Sequence, residues 1–156
     1  MNNASVCEIS SLQSQDAPEL SATLRGARAD YIGHFHPFAF DVEMIRTQIA
    51  SAKRDQFWSI RIDGELAGFL MLRGFDAGYA RPSFGVFIGE KFAGRGLATR
   101  ALEHALAWCR EQRVVEVMLK VYPQNAAARR VYERAGFEHV EICEKTGQEI
   151  FVKRLG

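Results

Sequence analysis

A mixed α/β architecture, with a central twisted sheet of about six or seven strands and helices on both faces, is the fold class this sequence predicts. Three observations carry it. Segments with the two-residue period of strands alternate with segments of helical period. Glycine, proline and asparagine turn signals fall between those segments. A strand–helix–strand crossover near the middle of the chain calls for a parallel pair, while a hairpin before it and paired strands after it call for antiparallel ones. The 156 residues are enough for one domain with a full core, spanning 1–156, and no linker or repeat divides them.

Taken in order, residues 6–12 read as a first strand and residues 17–29 as a helix. A second helix is expected over 41–53, capped by Asp41. Strands over 57–62 and 66–73 form a hairpin across Asp63-Gly64, a strong turn pair. In the strand 83–88, Phe84, Val86 and Ile88 alternate with Gly85 and Phe87. A glycine-punctuated turn follows, from Phe92 through Gly94, Arg95 and Gly96 to Ala98. The helix after it carries one apolar stripe: Ala98, Ala101, Leu102, Ala105, Leu106 and Cys109. The next strand, 114–122, places Val115, Val117, Leu119 and Val121 on one face and stops at Pro123. Asn125 stands at a helix N-cap, and Ala128, Val131, Tyr132 and Ala135 share the face of that helix. Gly136 closes it. Two final strands, 138–143 and 149–153, bracket Lys145-Thr146-Gly147.

The turn before the long helix is the first feature that speaks of chemistry. A helix start leaves several N–H groups unpaired, and the helix dipole adds roughly half a positive charge there. Such a site holds a phosphate or pyrophosphate, and Lys91, Arg95 and Arg100 add positive charge nearby. The alternative is a tight turn that simply needs permissive backbone. Neither the P-loop pattern nor the three-glycine dinucleotide pattern is present, so a different phosphate-bearing ligand is indicated.

Gly94-Arg95-Gly96-Leu97-Ala98, with Asn125-Ala126-Ala127-Ala128-Arg129-Arg130-Val131-Tyr132-Glu133-Arg134-Ala135-Gly136-Phe137 about thirty residues downstream, resembles the GNAT-type N-acetyltransferase superfamily. The first element is similar to that family's acyl-CoA loop, with Ala93 where the family carries Gln or Arg. The second is similar to its Asn-x-x-Ala-x-x-x-Tyr-x-x-x-Gly-Phe segment. The resemblance implies a GNAT-like acyl-CoA N-acyltransferase fold, acetyl-CoA as co-substrate and direct attack of an amine on the thioester. It implies that Gly94, Arg95, Gly96, Leu97, Ala98 and Thr99 hold the diphosphate. It further implies that Val86, Phe87 and Ile88 run along the pantetheine arm where the parallel strands splay apart. Asn125 is expected to bond that arm, to cap its helix, or both. Tyr132 is the expected proton donor to the departing thiolate, the alternative being a helix tyrosine packed on the sheet.

The incoming amine must lose a proton, and the strand 83–88 carries no carboxylate to take it. Glu90 is near but sits in the turn. His34 and His36, in the aromatic loop Gly33-His34-Phe35-His36-Pro37-Phe38, are therefore the candidate catalytic bases, with backbone-bonded loop histidines as the alternative. The loop is also similar to members of the family associated with amino sugars and surface polysaccharides, in which rings of the kind of Trp58, Phe38, Phe40 and Phe75 stack on sugars; these four could equally be core. The favoured acceptor is thus a small-molecule amine, such as a nucleotide-linked amino sugar. A protein N-terminal or lysine acetyltransferase, and a non-catalytic CoA-binding module, are the competing readings.

Composition narrows the partners. A net charge of +1 gives no basic surplus for nucleic acid. Apolar runs fall short of a membrane span. Residues 1–16 show no export signal, so a cytoplasmic protein without membrane or nucleic-acid partners is expected. A homodimer is left open. Cys7, Cys109 and Cys143 are scattered and fit neither a metal site nor a disulfide framework; Cys109 lies on the apolar stripe and is expected in the core. No metal is expected.

Overall fold

The computed structural model describes residues 5–33, 35 and 37–156. It contains β1 (Cys7–Ser11), α1 (Ala17–Arg25), α2 (Ala29–Ile32), α3 (Val42–Ser51), β2 (Gln56–Ile62), β3 (Glu65–Arg73) and β4 (Ser83–Ile88). Then follow α4 (Leu97–Glu111), β5 (Glu116–Val121), α5 (Ala126–Arg134), β6 (Glu138–Ile142) and β7 (Glu149–Arg154). The strands form one seven-stranded sheet in the order β1-β2-β3-β4-β5-β7-β6. Every neighbouring pair is antiparallel except β4 and β5. The mixed sheet is therefore the expected one.

Two cores sit on its two faces. Leu20 and Leu24 of α1 and Ile45 of α3 pack on Phe57, Leu66, Phe69, Met71 and Phe87. On the other face Ala101, Leu102, Ala105, Leu106 and Cys109 of α4 pack on Ile60, Leu70, Leu72, Phe84, Val117 and Leu119. Cys109 is wholly buried, and Trp58 and Phe75 belong to this second core. Ala128, Tyr132 and Ala135 of α5 lie partly buried against the same cluster. Each fully buried large apolar side chain contributes about 1.5–3 kcal/mol relative to exposure. Two such layers lock the strands that frame the cleft.

Local signals explain most element ends. Asp63 and Gly64 both take positive φ (50° and 85°), as a two-residue hairpin turn requires. Asp41 caps α3 by accepting the Met44 N–H at 2.7 Å. The helix expected over 17–29 instead breaks in two. Gly26 closes α1, where a Cβ would press on the Ala22 carbonyl at 2.9 Å, and α2 follows as a separate short turn. Val115 also departs from expectation. It precedes β5 and is 60% exposed at the sheet margin, whereas Val117, Leu119 and Val121 are buried. Among the described residues no helix is long and apolar enough to cross a membrane.

Candidate active site

The parallel strands β4 and β5 pair at one register alone, Ser83 with Met118, where the Met118 N–H donates to the Pro82 carbonyl at 2.9 Å. Beyond that vertex they diverge. On its other side β4 is fully paired with β3, from Arg73↔Ser83 to Gly68↔Ile88. Gly89 extends the ladder by donating to the Ala67 carbonyl at 2.7 Å. Antiparallel pairs alternate, so this bond sets the parity of the strand. Ser83, Gly85 and Phe87 turn their main-chain groups to β3. Phe84, Val86 and Ile88 turn theirs to the β5 side, where from Val86 onward β5 has moved away. The result is an open wedge along which, among the described residues, Val86 and Ile88 make no ladder bond to β5.

The wedge opens toward the start of α4. Gly94 and Gly96 stand at φ 78° and 74°, a conformation that glycine adopts without strain, and nothing lies within 4 Å of a Cβ built on either. The N-cap position, Gly96, supplies no side-chain bond, and the first turn carries no acidic residue. The Gly96 carbonyl accepts the Arg100 N–H at 3.1 Å. The N–H groups of Leu97, Ala98 and Thr99 therefore point out of the helix end without an intrahelical acceptor. Gly94, Arg95, Gly96 and Thr99 are exposed, Ala98 is half-buried and Leu97 is buried. Of the cations expected to help, Arg95 lies over the Phe92 ring at 5.4 Å, whereas Lys91 is engaged by Glu65 at 2.9 Å.

Helix α5 starts differently. Asn125 Oδ1 accepts the Ala128 N–H at 3.2 Å, so the capping role is realised, and its amide nitrogen stays exposed. Tyr132 lies on the inner face, edge-on to Phe84 (6.4 Å) and Phe137 (6.1 Å). Burial pushes its phenol up to about 12. Phe84 belongs to β4, so Tyr132 packs on the same strand that forms one side of the wedge.

His34 and His36 lie outside the described residues. Among the described residues of the same stretch, Phe38 packs beneath the Arg73 guanidinium at 5.6 Å, and Arg73 donates to the Pro37 carbonyl at 3.2 Å. Phe38 and Phe40 are half-buried against the α1–α3 core. Glu90 is held by a forked pair with Arg28, Nε to Oε1 at 2.9 Å, and so is not a free carboxylate. One group escaped the sequence reading, and a second, Cys143, was read there only as a scattered cysteine. Tyr31 donates its hydroxyl to the Ile88 carbonyl at 2.6 Å, and no local pattern could have found a partner 57 residues away. Cys143 has its thiol lowered by the Thr146 hydroxyl and neighbouring backbone N–H groups, and Lys120 Nζ lies 3.9 Å from its sulfur. Among the described residues no three His, Cys, Asp or Glu converge as a metal site.

The described geometry has relatives. The family model for the acetyltransferase (GNAT) family matches residues 21–137. No curated protein matches. Among solved structures, a domain from Methanocaldococcus jannaschii superposes with a TM-score of 0.80 at 16% identity, covering 97% of this chain and 100% of its own. PaiA N-acetyltransferase from Thermoplasma acidophilum, solved in complex with coenzyme A, gives 0.78 at 18% identity, covering 96% and 99%. The ribosomal-protein-S18-alanine N-acetyltransferase from Escherichia coli gives 0.71 at 20% identity, covering 96% and 93%. At these identities the likeness is one of fold.

Proposed function

The chain belongs to the acetyltransferase (GNAT) family, and from that premise we propose that this acetyl-CoA-dependent N-acetyltransferase acylates the primary amine of a small molecule. An amino sugar, free or nucleotide-linked, is the acceptor class we favour. The observation that carries the donor half is the β4–β5 wedge ending on an uncapped helix start. The acceptor half is supported by the Arg73–Phe38 face beside the 33–40 loop, which offers a guanidinium and rings to a sugar. Glu90 is engaged by Arg28, which takes that carboxylate away from a basic peptide.

Acetyl-CoA supplies an electrophilic thioester carbon and a thiolate leaving group. The chain's own groups have distinct tasks in this reading. The N–H groups of Leu97, Ala98 and Thr99, with the loop Gly94, Arg95 and Gly96, bind the diphosphate; the open space over both glycines fits that bulk. Val86 and Ile88 orient the amide-rich arm through main-chain groups, and Phe87 backs the same edge from the α1–α3 core. Asn125 offers its amide nitrogen to the arm while its oxygen caps α5. Tyr132 holds a proton for the departing sulfur. A phenol at about 12 stays protonated throughout the working range and is a weaker acid than a thiol near 8.5. It therefore acts as a hydrogen-bond donor that stabilises the negative charge gathering on sulfur while keeping its own proton, and the sulfur leaves as a thiolate. His34 and His36 take the proton released by the amine.

The test is a thiol-release assay with acetyl-CoA over a panel of amines. Turnover on amino sugars and none on peptides supports the reading. Turnover confined to peptide N-termini or lysines replaces it with a protein acetyltransferase. Tight CoA binding without turnover on any amine leaves a binding module.

A further inference from the structure

The outer end of β4 is held by contacts that the donor reading does not use. Tyr31, in α2, donates its hydroxyl to the Ile88 carbonyl at 2.6 Å, and its ring packs edge-on against Phe87 (6.2 Å, 82°). Ile88 is among the residues whose main-chain groups turn to the open side of β4. Three residues before Tyr31, Arg28 grips Glu90 just past the same strand end. From behind, β3 comes so near that a Cβ on Gly68 would run into the Phe87 carbonyl. The strand end is thus fixed between β3 on one side and α2 on the other.

We propose that Tyr31 is a positioning residue for the acyl donor, its hydroxyl aiming the Ile88 carbonyl along the open β4 edge and presenting its own oxygen to an amide of the donor's arm. The proposal rests on the donor reading above. A phenol that donates one bond keeps lone pairs with which to accept another. Burial, and then the charge of Glu90, raises the Tyr31 phenol, so it remains a donor across the working pH range. The Arg28–Glu90 pair is exposed and contributes little energy by itself. Its part is to keep α2 in register with the strand end.

Tyr31→Phe keeps the ring against Phe87 and removes only the hydroxyl. Calorimetry should then show CoA binding weakened about three- to tenfold, the value of one neutral hydrogen bond. The KM for acetyl-CoA should rise in step, with kcat and the acceptor KM unchanged and the melting temperature lowered by no more than about 2–4 °C, the cost of the one bond to Ile88. With S-acetylpantetheine, which lacks the diphosphate, the same loss should persist. CoA bound as tightly by the variant as by the parent overturns the proposal. So does a loss spread over kcat and both KM values with a larger fall in melting temperature, which marks a merely structural residue. A parent protein that binds no CoA overturns the donor reading itself, and Tyr31's role with it.

Discussion

Helices α3 and α4 begin in opposite ways. At α3, Asp41 accepts the Met44 N–H at 2.7 Å and Glu43 adds a second negative charge in the first turn. At α4 the N-cap is a glycine with positive φ, no side chain caps, and the first turn has no acid. Both starts carry the same orphan donors and the same positive pole. The first satisfies one of them with its own side chain and gains stability. The second leaves them without a side-chain partner, which is what the donor reading proposed above uses. Helix α5 adds a third variant, with one N–H at its end satisfied by Asn125 and its body packing Tyr132 edge-on to Phe84 of β4.

Making α4 resemble α3 is the sharpest way to break this contrast. Gly96→Asp, at a φ that Asp tolerates better than most residues, puts a carboxylate where the diphosphate would lie. The KM for acetyl-CoA should rise about a hundredfold, read by steady-state kinetics at saturating acceptor; an unchanged KM would mean that the donor docks elsewhere. The next effect concerns the body of α5. The fold holds the Tyr132 proton more tightly than the unfolded chain does, with a phenol at about 12 against 10.0. The stability this supplies is complete below pH 10 and is lost as pH rises toward 12. Denaturant melts should record a decline of about 2–3 kcal/mol over that window, absent in Tyr132→Phe. Equal declines in both proteins would show the phenol to be less buried than described.

The same variant addresses catalysis. Tyr132→Phe should lower kcat at least tenfold with CoA affinity kept, and the parent's kcat should show no falling limb below about pH 10. A kcat equal to the parent's at every pH would assign Tyr132 to packing. The smallest effect belongs to the capped end. Asp41→Ala should cost about 1 kcal/mol, a fall of about 2–4 °C in melting temperature, and leave both KM values alone. A shift in the acetyl-CoA KM would erase the distinction between the two helix starts.

Much of this was legible along the chain because it is local. The alternation over 83–88, the Asp63-Gly64 turn, the Asp41 and Asn125 caps and the stripe of α4 each follow from neighbours a few residues apart. The glycine loop and the tyrosine of α5 could be named for the same reason. The break between α1 and α2 escaped notice because the apolar period runs through Gly26, the residue at which the helix ends. Val115 reads like its strand neighbours, but side-chain period carries no information about where a sheet ends.

By itself, then, the sequence determined the elements, the mixed sheet and the uncapped start of α4, since propensity, turn chemistry and capping act over a few residues. Only the tertiary structure decided the register, Ser83 with Met118, from which β4 and β5 part, that Arg28 occupies Glu90 and that Tyr31 reaches Ile88. Those contacts join residues far apart in the chain. Their geometry is set by how helices settle on a twisted sheet, which residue periodicity does not encode.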